Sequence, residues 1–179
     1  MNLNLPTWIT LSRLLGVPLL LGLLDAPEPT RRWWALGIFL LAAGTDWLDG
    51  YLARRLNQVT DLGKFLDPLV DKLLVLAPLL CLVSWQIIPA WGLFLIVGRE
   101  LAIAGWRVNQ TTITGANDWG KLKTVVQIMA IALLIAPLDG VFGEVWGVIG
   151  TATFWLAVAL TLISGWVYLQ PASATKHHS

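Results

Sequence analysis

The chain has 179 residues, of which 56% are hydrophobic and 13% charged, with a net charge of +1 and a mean hydropathy of +0.70. A soluble domain is nearer half apolar and a quarter charged, so the composition points to an integral membrane protein, and no basic tract of the kind that binds nucleic acid is present. A lone cysteine, Cys81 in "LLVLAPLLCLV", excludes an internal disulfide and reads as a small buried hydrophobe.

A membrane-spanning helix needs about 20 apolar residues. Six stretches qualify, at roughly 8–24, 33–56, 63–83, 88–108, 120–137 and 145–169. They predict an all-α polytopic membrane protein of six transmembrane helices, with 1–179 as one domain and a polar tail over about 171–179. The first stretch carries Arg13 and lacks a basic leader and a small-residue cleavage site, so it reads as a retained span rather than a signal peptide. Short links join the spans. Pro27 and Pro29 are expected to exclude helix from "DAPEPTRR". The remaining links are "NQVTDL", "NQTTITGAND" and "PLDGVFGE".

Arg54, Arg55, Lys64, Arg107, Lys121 and Lys123 fall on one side of the predicted bundle, which the positive-inside bias makes cytoplasmic along with both termini. Arg31 and Arg32 on the other side weaken this bias without reversing it. Many of the eleven tryptophans fall near predicted span ends and read as interfacial anchors. Asp61 and Asp118 read as helix caps.

The stretch "DWLDGYLARRLNQVTDLGKFLDPLVDK" breaks the apolar pattern. One bare carboxylate at the centre of a bilayer costs about 2.5–3.5 kcal/mol. Here Asp46 and Asp49 stand three apart on the second helix, and Asp67 and Asp71 four apart on the third. Both spacings put the pair on one helical face, and a short link makes the two helices antiparallel neighbours. Four carboxylates then converge in an intramembrane polar cavity reached from the cytoplasmic side. Lys72 and Arg54 are too few to neutralise them. An oxygen-only donor set with no His or Cys suits two divalent cations, Mg²⁺ or Mn²⁺, better than zinc. Two shared metals suit in-line displacement at phosphorus. Gly50 and Ala53 leave room for a ligand to approach the backbone, and Arg54 has the fork geometry for a phosphate.

The arrangement D46-x-x-D49-G50-x-x-A53-R54-x8-G63-x-x-x-D67-x-x-x-D71 resembles the full signature of the CDP-alcohol phosphatidyltransferases. The resemblance implies a six-helix integral membrane fold, a homodimer and a dimetal site. It implies that Asp46, Asp49, Asp67 and Asp71 hold the metals, that Asp71 is also the general base, and that Gly50, Ala53, Arg54 and Gly63 line the cytidine-diphosphate site. "LPTWITLSRLLGVP", "VGRELAIAGWR" and "WGKLKTVVQIMA" are similar to the branch of the family that forms phosphatidylglycerol phosphate. That branch implies CDP-diacylglycerol and glycerol 3-phosphate as substrates, CMP as the released product and a bacterial-type inner membrane.

Glycerol 3-phosphate is a small dianion and needs cations at the mouth of the cavity. Arg99, Arg107, Lys121 and Lys123 are the candidates. Arg99 and Glu100 lie within a span, where charge is costly. For Arg107 and Lys121, anchoring at the membrane surface explains the charge equally well. Arg13 either touches lipid phosphate or snorkels. Two alternatives remain. The same chemistry could serve another acceptor, as in cardiolipin, inositol-phosphate or serine transferases. A small cation transporter would use the acids as an ion path, but the outer halves of the spans carry no continuing polar residues.

Overall fold

In a computed structural model of the chain, the backbone is described for residues 5–56, 61–108, 118–138 and 143–169, and side chains for residues 12–45, 68–106, 119–138 and 143–168. Among these residues the fold is all-α, with six helices: α1 (Leu5–Leu23), α2 (Pro29–Leu56), α3 (Asp61–Ser84), α4 (Ala90–Val108), α5 (Asp118–Ile135) and α6 (Gly143–Leu169). Each coincides with a predicted apolar stretch to within about a turn.

One expectation fails. Pro29 does not interrupt helix; it opens α2. The Arg32 amide donates to the Glu28 carbonyl at 3.0 Å, which makes Glu28 the cap and Pro29 the first helical residue. Proline is well suited to that position, because the amide it lacks would have had no partner there and its φ is already helical.

The end of α3 is fixed by backbone geometry. The Ile87 amide donates to the Leu82 carbonyl at 3.0 Å and the Gln86 amide to the Val83 carbonyl at 2.9 Å, with Gln86 left-handed at φ 58°. This is the paired-bond cap that glycine usually makes.

Helices that pack on one another and are joined by short links must be antiparallel. That relation holds for α1 and α2, α2 and α3, α3 and α4, and α5 and α6. α6 also runs beside α4. Gly92 on α4 lies so close to α6 that a Cβ there would come 2.9 Å from the Phe154 ring, and further along Gly165 meets Arg99 in the same way at 3.0 Å. Trp91 and Trp155 stack beside the first crossing, with centroids 4.4 Å apart. The two contacts make α4 and α6 parallel, so α5 opposes α4. All odd helices therefore start at one end of the bundle, where all even helices finish.

The two halves of the bundle differ in character. Leu20, Leu24, Phe39, Leu82, Ile135 and Phe154 belong to one apolar core in the half where α2 begins. Arg32 closes that end. It donates through Nε to the Ile135 carbonyl at 2.9 Å and through Nη2 to the Ala136 carbonyl at 3.0 Å, and its guanidinium lies 5.6 Å over the Trp85 ring. The last carbonyls of α5 would otherwise lack partners and carry the negative end of the helix dipole.

Each of the six helices exposes large apolar side chains, among them Leu15 at 73%, Leu41, Leu80, Phe94 at 72%, Met129 and Trp166. Apolar exteriors of this extent mark contact with lipid or another apolar surface. Among the described residues one helix, Gly143–Tyr168, is long and apolar enough by composition alone to cross a membrane, and the apolar stretch Ser12–Leu23 of α1 is shorter.

Candidate active site

The other half of the bundle, where the odd helices begin, carries charged side chains in its interior. α4 and α5 do not pack backbone to backbone among the described residues. A cavity of about 440 Å³ lies beside that gap, walled by α2, α3, α4 and α5. Phe39, Leu79, Leu93 and Ile96 make part of its apolar wall; Asp71, Lys72, Glu100, Lys123 and Gln127 make its polar wall. At 1.5 Å per residue, Asp71, Glu100 and Lys123 each lie roughly 8–15 Å from the end of their helix.

The charges on this wall are joined across helices. Lys123 on α5 is only 7% exposed, and burying a charge is costly unless it is paired. Its Nζ donates to Glu100 Oε1 on α4. The same oxygen accepts from Arg99 Nη1 at 2.9 Å, and Arg99 Nη2 donates to Ser164 Oγ on α6 at 3.0 Å. Ser164 is buried and donates on to the Thr161 carbonyl at 2.9 Å. One carboxylate oxygen thus holds two cations and ties α4 to α5, while Arg99 ties α4 to α6. From behind the cavity lining, Arg13 of α1 donates through Nη1 to Asp71 Oδ1 at 2.9 Å. Arg13 is 4% exposed, whereas the Asp71 side chain is 44% exposed.

A family model for the CDP-alcohol phosphatidyltransferases matches residues 3–163. The chain belongs to that family. It is 40% identical over 181 residues to a Bacillus subtilis (strain 168) CDP-diacylglycerol–glycerol-3-phosphate 3-phosphatidyltransferase, covering 92% of this chain and 93% of that protein. It is 38% identical over 182 residues to the Pseudomonas fluorescens protein of the same name, covering 95% and 90%. A cardiolipin synthase (CMP-forming) from Oryza sativa subsp. japonica is 38% identical over 157 residues, covering 76% of this chain and 47% of that protein.

The phosphatidyltransferase signature residues fall on the two helices expected of them: Asp46, Asp49, Gly50, Ala53 and Arg54 on α2, and Gly63, Asp67 and Asp71 on α3. Of these, only Asp71 lies among the residues whose side chains are described; the side chains of the other seven, and that of Arg107 on α4, fall outside them. Among the described residues no three His, Cys, Asp or Glu side chains gather. Of the four basic residues expected at the acceptor, Lys123 is on the same cavity wall as Asp71. Lys121 is exposed. Arg99 lines a separate groove of about 670 Å³ between α4 and α6, and it meets the Asp71 cavity only through Glu100.

The structure adds three details to the sequence reading. Arg13 pairs with Asp71 rather than with lipid. Lys72 lines the cavity beside Asp71. Gln127, 5% exposed, adds an amide to the wall. An amide inside "VVQIMAIALLI" is the kind of isolated polar residue in an apolar run that marks an interior site.

Proposed function

We propose that this chain transfers a phosphatidyl group from CDP-diacylglycerol to glycerol 3-phosphate, releasing CMP and forming phosphatidylglycerol phosphate. Membership of the family, with near-full-length relatives that carry this enzyme name, supports the reaction. The observation that carries the chemistry is that the Asp71 carboxylate and the Lys72 and Lys123 ammonium groups line one cavity.

Asp71 offers oxygen donors only and faces the cavity, which fits a hard cation such as Mg²⁺ or Mn²⁺. In this reading Asp46, Asp49, Asp67 and Asp71 hold two such ions. When bound, they supply neutralisation of the pyrophosphate charge and of the departing CMP. Gly50, Ala53, Arg54 and Gly63 hold the cytidine-diphosphate portion. Lys123 and Lys72 meet the acceptor phosphate, with Arg107 and Lys121 towards the mouth and Arg99 acting through Glu100. Asp71 accepts the proton of the acceptor hydroxyl. The hydroxyl oxygen bonds to the phosphorus that carries diacylglycerol, and the bond from that phosphorus to CMP breaks. Most of the rate gain then comes from orientation and charge stabilisation.

The exposed apolar residues on every helix support a six-span membrane domain, and the gap between α4 and α5 supports sideways entry of the lipid donor. The distribution of Lys and Arg favours an inner membrane with termini and active site cytoplasmic, and family resemblance favours a homodimer.

The second reading is the cardiolipin-synthase reaction, which the rice relative favours. Purified protein should be given CDP-diacylglycerol with Mg²⁺, with Mn²⁺ or with chelator, against a panel of glycerol 3-phosphate, phosphatidylglycerol, inositol phosphate and serine. Metal-dependent release of CMP with glycerol 3-phosphate alone is the expected result. Release with phosphatidylglycerol instead would transfer the assignment to the second reading.

A further inference from the structure

Burying an arginine is expensive, and a salt bridge is a weak way to join two helices that apolar side chains already join. α1 and α3 share such a core through Leu20 and Leu24 on one side and Leu74, Leu79 and Leu82 on the other. Adhesion therefore does not account for Arg13, which is 4% exposed and donates to Asp71 Oδ1 at 2.9 Å. The pair is asymmetric. The carboxylate is nearly half exposed and lines the cavity, while the guanidinium stands behind it and is not on the cavity wall. An arginine meant to grip a substrate phosphate would show its fork to the cavity. This one gives its Nη1 to the carboxylate.

We infer that Arg13 is a positioning residue for Asp71: it fixes the orientation of the carboxylate that takes the acceptor's proton, without itself touching substrate. The role rests on the phosphatidyl transfer proposed above. An aspartate side chain turns about two bonds, and its bond to Arg13 restricts both. Misplacing a reacting group by about 1 Å can cost on the order of 100-fold in rate, which sets the size of the effect.

The test compares wild type with Arg13→Met and Arg13→Lys in two measurements. The first is acceptor-dependent CMP release. Arg13→Met should lose about 100-fold in kcat, with KM for both substrates within about threefold, and Arg13→Lys should recover a large part of the loss. The second is Mn²⁺ binding to the metal-stripped, substrate-free protein, followed by electron paramagnetic resonance. Here Arg13→Met should still bind Mn²⁺, because Asp46, Asp49 and Asp67 remain as ligands and the loss of a positive charge near the carboxylates offsets the looser hold on Asp71. A merely structural arginine would lose Mn²⁺ binding and turnover together, and that outcome would overturn the role, as would wild-type turnover in Arg13→Met. Should Arg13→Met fail to fold, Arg13→Lys carries the comparison: a fall of about 10-fold in kcat at unchanged Mn²⁺ affinity supports the role, and no fall removes it. If wild type releases no CMP with any acceptor, the transfer reaction itself is wrong, a result that Mn²⁺ binding by wild type separates from a failure of Arg13.

Discussion

Lys123 on α5 donates to Glu100 on α4 across a flank of the cavity where, among the described residues, the two helices do not pack. The bond is a polar link between two helices whose backbones stand apart. It also places a buried ammonium on the cavity that Asp71 lines, and Arg99, itself held by Ser164, donates to the carboxylate.

Glu100→Gln should leave Lys123 and Arg99 without their shared anion. Orphaning a buried ion costs about 3 kcal/mol. The loss should appear as a lower unfolding midpoint in detergent micelles, together with a raised KM for glycerol 3-phosphate. The double variant Glu100→Gln with Lys123→Met should recover much of the stability and none of the acceptor affinity. A double variant less stable than Glu100→Gln would show that the pair is not coupled in this way.

Arg32→Ala removes the cap on α5. A hydrogen bond from a charged donor contributes about 1.5–3 kcal/mol, so a stability loss of at least about 2 kcal/mol is expected. Turnover per folded molecule should not change, because Arg32 lies in the opposite half of the bundle from Asp71. Reduced kcat in the folded fraction would contradict that separation.

Gln86→Gly should stabilise the protein. A non-glycine residue in the left-handed region costs about 1–2 kcal/mol, and Gln86 at φ 58° bears that cost where glycine would not. Greater freedom of glycine in the unfolded chain offsets part of the gain, which leaves up to about 1 kcal/mol, measurable by chemical denaturation. A destabilised variant would mean that the Gln86 side chain makes contacts worth more than the strain.

Gly92→Ala should destabilise by about 1–3 kcal/mol. The new methyl would fall 2.9 Å from the Phe154 ring, itself pinned between helices at 1% exposure. Thermal unfolding of the variant reads the effect directly. An unchanged midpoint would show that α4 and α6 can separate at no cost.

The helices were legible in the sequence because apolar length and proline- or glycine-rich breaks are local signals, and every predicted stretch became a helix. Pro29 was misread because a proline that ends one helix looks the same as one that opens the next; only the bond from the Arg32 amide to the Glu28 carbonyl tells them apart. The signature aspartates were legible as a pattern of spacing on α2 and α3. Arg13 was not, because its partner is far away in sequence and depends on α1 and α3 lying side by side. Arg32 counted against the orientation for the same reason: charge bias treats every arginine as solvated, and this one is used up on the carbonyls of α5. Arg99 was expected at the acceptor because it interrupts an apolar run, but that signal does not say which side of α4 it faces. Gly165 on α6 gives it a berth away from Asp71.

The most direct measurement is glycerol-3-phosphate-dependent release of CMP by Asp67→Asn, made on protein whose elution profile and unfolding midpoint match wild type. The substitution keeps shape and removes one negative charge from the oxygen-donor set. The account predicts that turnover is abolished in Mg²⁺ and in Mn²⁺ alike. Turnover near the wild-type rate in a folded Asp67→Asn protein would contradict a carboxylate-held pair of divalent ions as the centre of this reaction.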